Sequence, residues 1–122
     1  MTLGDVQFSR HGDALVGRVR GELDMSNAEG IGTAVTDTMA PDTAGVVLDL
    51  SEVEYLDSAG IYVLFGLRET LRARGLTLIL VVPEASPVND ALRLAGVKHH
   101  TEVALTLEEA FNGMGASRDA EW

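Results

Sequence analysis

The stretch Val46-Val47-Leu48-Asp49-Leu50, then Ser51-Glu52-Val53-Glu54-Tyr55-Leu56, then Asp57-Ser58-Ala59-Gly60 and the run from Ile61 to Leu71, decides the fold. The first five residues have the length and β-branched content of a buried strand. Ser51 to Leu56 reads as a short acidic connection, in which Ser51-x-x-Glu54 has the spacing of a cap on one helical turn. From Ile61 the apolar residues take up helical spacing. Ile61, Leu64, Phe65 and Leu71 share a face that Val63 and Leu67 widen. The Ser58 hydroxyl then lies at the first turn of a helix, where backbone N–H groups are unpaired and the helix dipole is positive. A hydroxyl in that place can cap the helix, or it can be a modification site whose charge switches a partner surface.

Upstream, Val6 and Phe8 alternate with Gln7 and Ser9, and His11-Gly12-Asp13 makes a turn into a second strand, Ala14 to Val19. Residues 5–20 are therefore expected to form a β-hairpin, ended by Gly21-Glu22-Leu23-Asp24. Ser26-x-x-Glu29 has the form of a capping box. It precedes the helical spacing of Ala28, Ile31, Val35 and Met39, which Pro41 stops.

Downstream, the central helix runs from about Ser58 to Arg74, with Gly75 as its C-terminal cap. Leu76 to Val82 is a strand covered on both faces. Ser86-Pro87 has the form of an N-cap followed by proline at the first helical position. Val88, Ala91, Leu92 and Ala95 supply the inner stripe of a short helix that Gly96 ends. Residues 101–105 suit a last short strand, and Thr106-x-x-Glu109 opens a final helix with Leu107, Ala110, Phe111 and Met114 inward. The expected architecture is a single α/β domain over residues 1–114, with residues 115–122 a frayed tail. Its sheet is mostly parallel and four- to five-stranded, with an N-terminal hairpin and about four helices packed on it.

Composition excludes several classes of function. The chain has 122 residues, 46% of them hydrophobic, which suits one domain with a packed core. No apolar run approaches the roughly 18 residues of a membrane span. Met1-Thr2-Leu3-Gly4-Asp5 lacks the basic and apolar regions of a signal peptide. Cysteine is absent, which removes disulfides and thiolate metal sites and suits a cytoplasmic setting. The formal net charge of −10 disfavours nucleic acid and anionic membrane as ligands, and it permits a basic protein partner.

Each candidate site has a plain structural account beside a functional one. Asp57-Ser58 can be a helix cap worth about 1 kcal/mol. Either residue alone would suffice for that, yet two stand side by side. Gly60, unfavourable within a helix, is easier to explain if another chain must approach the backbone closely. Strand–turn–Ser–x–Gly–helix is like a nucleophile elbow, but Leu56 fills the first glycine position, and nothing places His11, His99 or His100 beside Ser58 as a base. Asp49 with Glu52, Glu54 and Asp57 could suggest a metal site or a phosphoacceptor. The simpler account is a solvated acidic loop. Glu22 and Asp24 read as turn chemistry, or as a contact surface if the fold brings them beside the Ser58 helix. His99-His100 is expected in a surface loop. No nucleotide-binding or zinc motif is present, so no metal or cofactor is expected.

Taken in order, Gly21-Glu22-Leu23-Asp24, the Val46–Leu50 strand, Tyr55-Leu56-Asp57-Ser58-Ala59-Gly60, Leu76-Thr77-Leu78-Ile79-Leu80-Val81-Val82 and Ala95-Gly96-Val97 resemble the STAS domain. Within that family the match is with the stand-alone bacterial anti-sigma factor antagonists, over about Val6 to Phe111. The resemblance implies a non-enzymatic switch. Ser58 would be phosphorylated by an anti-sigma factor that is also a GHKL-type serine kinase, and a PP2C-type phosphatase would reset it. Asp24, Asp57, Ser58, Ala59 and Gly60 would form the partner-binding surface, on a monomer or weak dimer. Ala59 departs from the family, which often has a second hydroxyl there. The family also contains scaffolds of stressosome-like and transport-associated complexes, a second role open to the same fold.

Overall fold

Strands β1 (Asp5–His11) and β2 (Ala14–Leu23) form the expected hairpin, pairing antiparallel from Asp5↔Arg20 to His11↔Ala14. The computed structural model describes residues 5–119, and side-chain surroundings for residues 5–114. Gly12, with φ +63°, makes the tight turn that residues with a Cβ rarely adopt. The chain continues through helix α1 (Ala28–Thr38), strand β3 (Gly45–Leu56), helix α2 (Ser58–Ala73) and strand β4 (Thr77–Val81). Helices α3 (Asn89–Leu94) and α4 (Val97–His100), strand β5 (Glu102–Ala104) and helix α5 (Leu107–Asp119) complete it. The sheet has the order β1-β2-β3-β4-β5, parallel from β2 to β5.

Alternation along β3 builds two cores. Val46, Leu48 and Leu50 point to the face covered by Ile31 and Val35 of α1 and by Leu64, Leu67 and Leu71 of α2, with Val88, Leu92 and Val97 closing one end. Val47 points to the other face, where Ile79, Val81 and Ala104 meet Ala110 and Met114 of α5. Each fully buried leucine or isoleucine in such a layer contributes roughly 1.5–3 kcal/mol relative to exposure. The four expected helical stripes are therefore present, and the central strands are covered on both sides.

Five local features differ from the sequence expectation. First, Ser51–Leu56 is not a connection; it continues β3, paired with β2 as far as Leu23↔Leu56. The register shifts between Arg18↔Asp49 and Arg20↔Glu52, and again between Gly21↔Val53 and Glu22↔Tyr55. Each shift gives β3 one extra residue, a β-bulge. Buried positions then fall at Leu50, Val53 and Leu56, every third residue, which imitates a helical turn. Second, β2 runs on through Gly21 (φ +83°) to Leu23. Third, Ser26 and Glu29 form no capping box; α1 starts at Ala28, and Ser26 is held by Asp24 instead. Fourth, α3 begins at Asn89, after a turn in which the Ser86 hydroxyl accepts the Val88 N–H, so Pro87 is not in its first turn. Lys98, His99 and His100 then lie in α4, a fifth helix, entered through Gly96 at φ +72°. Fifth, α5 continues to Asp119, past the point where a frayed tail was expected. The expectations for residues 1–4 and 120–122 lie outside the described residues.

Candidate functional site

The carboxyl ends of β2 and β3 lie side by side, so the segment after each meets the other. The Asp57 N–H donates to the Leu23 carbonyl at 3.3 Å. Gly60 fits directly beneath: a Cβ there would stand 2.6 Å from the Leu23 carbonyl oxygen and 2.6 Å from Leu56 Cδ1. The close approach that makes glycine necessary is therefore to the chain's own β2, and Gly60 is buried. Gly60 is accordingly the packing point that seats the first turn of α2, not an open gap for another chain.

Asp57 is the N-cap of α2. One carboxylate oxygen accepts the Gly60 N–H at 3.0 Å, and the other accepts the Met25 N–H at 3.1 Å. A single side chain thus satisfies an orphan donor of the helix and pins the loop after β2. The capping role that either residue could have filled belongs to Asp57. The Ser58 hydroxyl is exposed at the first helical position and has no hydrogen-bond partner among the described residues. Ala59 is half-buried against the larger core, so the exposed surface here is offered by Ser58.

Asp24 stands beside this point, as the contact-surface expectation required. Its carboxylate accepts the Ser26 hydroxyl at 2.5 Å and the Ser26 N–H at 2.9 Å. These bonds, the hydroxyl's first, hold its pKa below the usual aspartate range, against a small opposing effect of desolvation. Asn27 fixes the same loop: its side-chain oxygen accepts the Asp24 N–H at 3.0 Å, and its amide donates to the Glu22 carbonyl at 2.7 Å. Two residues not singled out from the sequence join the surface. Met25 is 84% exposed and Tyr62 is 79% exposed, one helical turn beyond Ser58. The i, i+4 spacing of Ser58 and Tyr62 was the available signal for the second.

The remaining candidates lie elsewhere. Asp49 is buried on the α5 side of the sheet, with its carboxylate 3.5 Å from the Arg18 guanidinium and accepting the Ser51 N–H at 3.0 Å. It does not belong to a solvated loop; Glu52, Glu54 and Asp57 do not gather around it. Among the described residues no group of three or more His, Asp or Glu is placed to hold a metal ion. His11 stacks on Phe111 at 3.8 Å, at the opposite end of β3 from Ser58, and His100 packs edge-on against Phe65 at 5.8 Å. Neither is within reach of the Ser58 hydroxyl as a base. Among the described residues no helix is long and apolar enough to cross a membrane.

A five-stranded, mostly parallel sheet with a hairpin edge, presenting an unpartnered serine at the start of a helix that Asp57 caps, defines a regulatory binding module of the STAS type. The STAS domain family profile matches residues 5–110, and the chain belongs to that family. The anti-sigma-F factor antagonist RsfB of Mycobacterium tuberculosis is 27% identical over 114 residues, which is 93% of this chain and 91% of RsfB. The crystal structure of an anti-sigma factor antagonist from Mycobacterium paratuberculosis superposes with a TM-score of 0.81 at 25% identity, covering 92% of this chain and 94% of that one. The Bacillus cell fate determinant SpoIIAA in its phosphorylated form shares the fold, with a TM-score of 0.62, 21% identity and coverage of 88% and 97%.

Proposed function

We propose that this chain is an anti-sigma factor antagonist that works by partner switching in the cytoplasm. Unmodified, it binds an anti-sigma factor that is also a GHKL-type serine kinase, and so releases the sigma factor. Phosphorylation of Ser58 ends the binding, and a PP2C-type phosphatase restores it. The chain is substrate and switch, and it catalyses nothing itself. The observation that carries this is the Ser58 hydroxyl, exposed and unpartnered at the head of α2 while Asp57 does the capping. Family membership and the named roles of RsfB and the M. paratuberculosis protein support it.

The physics of the switch follows from the site. A phosphate adds about −1.5 to −2 charges at neutral pH beside the Asp57 carboxylate. Backbone N–H groups of α2 can solvate part of that charge, so the domain itself need not rearrange. An interface formed around a small neutral serine would instead have to desolvate a dianion, at a cost of several kcal/mol unless an arginine answers it. A loss of ~3 kcal/mol already lowers affinity more than a hundredfold. The test is calorimetric binding to purified GHKL-type anti-sigma factors of the same genome, with ATP-dependent phosphosite mapping. Ser58→Ala should bind constitutively and Ser58→Asp should lose at least a hundredfold. Equal affinity of Ser58→Asp and the unmodified protein would overturn the switch.

A further inference from the structure

An open groove of about 260 Å³ lies between α1 and α2, one to two turns beyond Ser58. Gly32, Thr33 and Thr36 line it from α1, and Tyr62, Val63 and Gly66 line it from α2. Its lining is mostly apolar. Among the described residues no lysine or arginine lines it, and Glu29 is its charged rim. The volume falls just below that of ordinary enclosed small-molecule sites, and an open trough of that size suits side chains of a protein segment.

The glycines separate internal need from external use. Gly32 is required by the fold, because a Cβ there would stand 2.9 Å from Val63 Cγ1. Gly66 is not. It is exposed in mid-helix, and nothing lies within 4 Å of where its Cβ would be. Glycine is among the poorest helix formers, so its presence there weakens α2 with no return inside the chain. Ser58, Tyr62 and Gly66 stand at i, i+4 and i+8, a single stripe along α2. The stripe therefore carries a modifiable hydroxyl, then a largely exposed aromatic ring, then a bare stretch of backbone.

Resting on the anti-sigma antagonist assignment, we infer that the groove is a second contact for the same partner. A segment of the anti-sigma factor docks along α2, with apolar side chains against Tyr62 and Val63, its backbone close to Gly66 and a basic residue opposite Glu29. Continuity with the Ser58 surface argues for a common occupant. The acidic rim, on a chain of net charge −10, argues for its basic flank. Aromatic side chains such as Tyr62 carry much of the binding energy in interfaces of this kind.

The test compares Gly66→Gln with Gly30→Gln. Gly30 is also an exposed helical glycine with open space around it, in the first turn of α1, but it does not line the groove. Both substitutions should raise the melting temperature, because glutamine is the better helix former. Binding is measured by calorimetry against the purified anti-sigma factor that binds the unsubstituted protein. Gly66→Gln and Tyr62→Ala should each weaken binding at least tenfold, and Gly30→Gln should leave it within twofold. Unchanged affinity in both Gly66→Gln and Tyr62→Ala overturns the groove and leaves the Ser58 switch standing. Weakened binding in these two with normal binding of Ser58→Asp supports the groove and overturns the switch. If no anti-sigma factor of the genome binds the unsubstituted protein, both assignments fall.

Discussion

Replacing Asp57 tests how the head of α2 is held, independently of any partner. Asp57→Ala removes the acceptor of two N–H groups, Gly60 at 3.0 Å and Met25 at 3.1 Å. Loss of the N-cap costs about 1 kcal/mol. The Met25 bond lies at the surface, where water can replace the carboxylate, so its net contribution is about 0.5–1 kcal/mol. Together they come to about 1.5–2 kcal/mol. At roughly 2.1 cal/mol/K per residue, a chain of 122 residues has an unfolding entropy near 0.26 kcal/mol/K. The expected fall in melting temperature is then about 6–8 °C. Asp57→Asn keeps one side-chain oxygen and is an equally good N-cap. It should preserve the Gly60 bond, lose the Met25 bond and lower the melting temperature by only about 2–4 °C. Differential scanning calorimetry measures both shifts. Amide hydrogen exchange separates them: Asp57→Ala should accelerate exchange at Gly60 and Met25, Asp57→Asn at Met25 alone. If Asn costs as much as Ala, or if exchange at Met25 is unchanged in both, the carboxylate does not bridge the two segments.

Other consequences are equally specific. Gly60→Ala drives a methyl group into the Leu23 carbonyl and Leu56, and should destabilise by about 2 kcal/mol despite alanine's better helix propensity; denaturant unfolding checks it. Arg18→Ala leaves the buried Asp49 carboxylate with the Ser51 N–H alone. Arg18 is itself half exposed, so the pair is partly screened and the expected loss is about 1–2 kcal/mol in the same assay. The pKa of Asp24 is depressed in the folded state, so the stabilisation linked to it is present above the usual aspartate pKa and is lost as pH falls through the lower folded value. In NMR titrations Ser26→Ala should return the Asp24 midpoint toward the usual range; an unmoved midpoint would show that the Ser26 hydroxyl is not the cause. A simple antagonist should run as a monomer or weak dimer in mass photometry, and large assemblies would favour the scaffold role instead.

Most of the architecture was legible because the inward positions of α1, α2 and α5 keep a helical period and β4 is an unbroken apolar run covered on both faces. Leu64, Leu67 and Leu71 could be placed without knowing what they touch, since a helical stripe must face the core wherever the core lies. The failures have physical causes. The two bulges in β3 convert a period of two into a period of three, so Leu50, Val53 and Leu56 carried the wrong local signal. Ser26-x-x-Glu29 has capping-box spacing, but Asp24 lies two residues earlier and binds the serine first. The pair Asp57-Ser58 was visible as a site, whereas the division of labour within it was not. That division depends on Met25 and Leu23, which the chain brings in from more than thirty residues upstream. Tyr62 and Gly66 are ordinary helical residues until exposure and empty space are known.

The surroundings of Asp57 and Ser58 bear on how long a mark on this protein would persist. Each carboxylate oxygen accepts one backbone N–H, and neither His11 nor His100 reaches Ser58, so neither of these imidazoles could assist water in attacking a phosphoester at that position. Uncatalysed cleavage of phosphate monoesters is among the slowest reactions known in biology. Such a protein would hold its history with no clock of its own, and the duration of the signal would be written entirely by the enzyme that erases it.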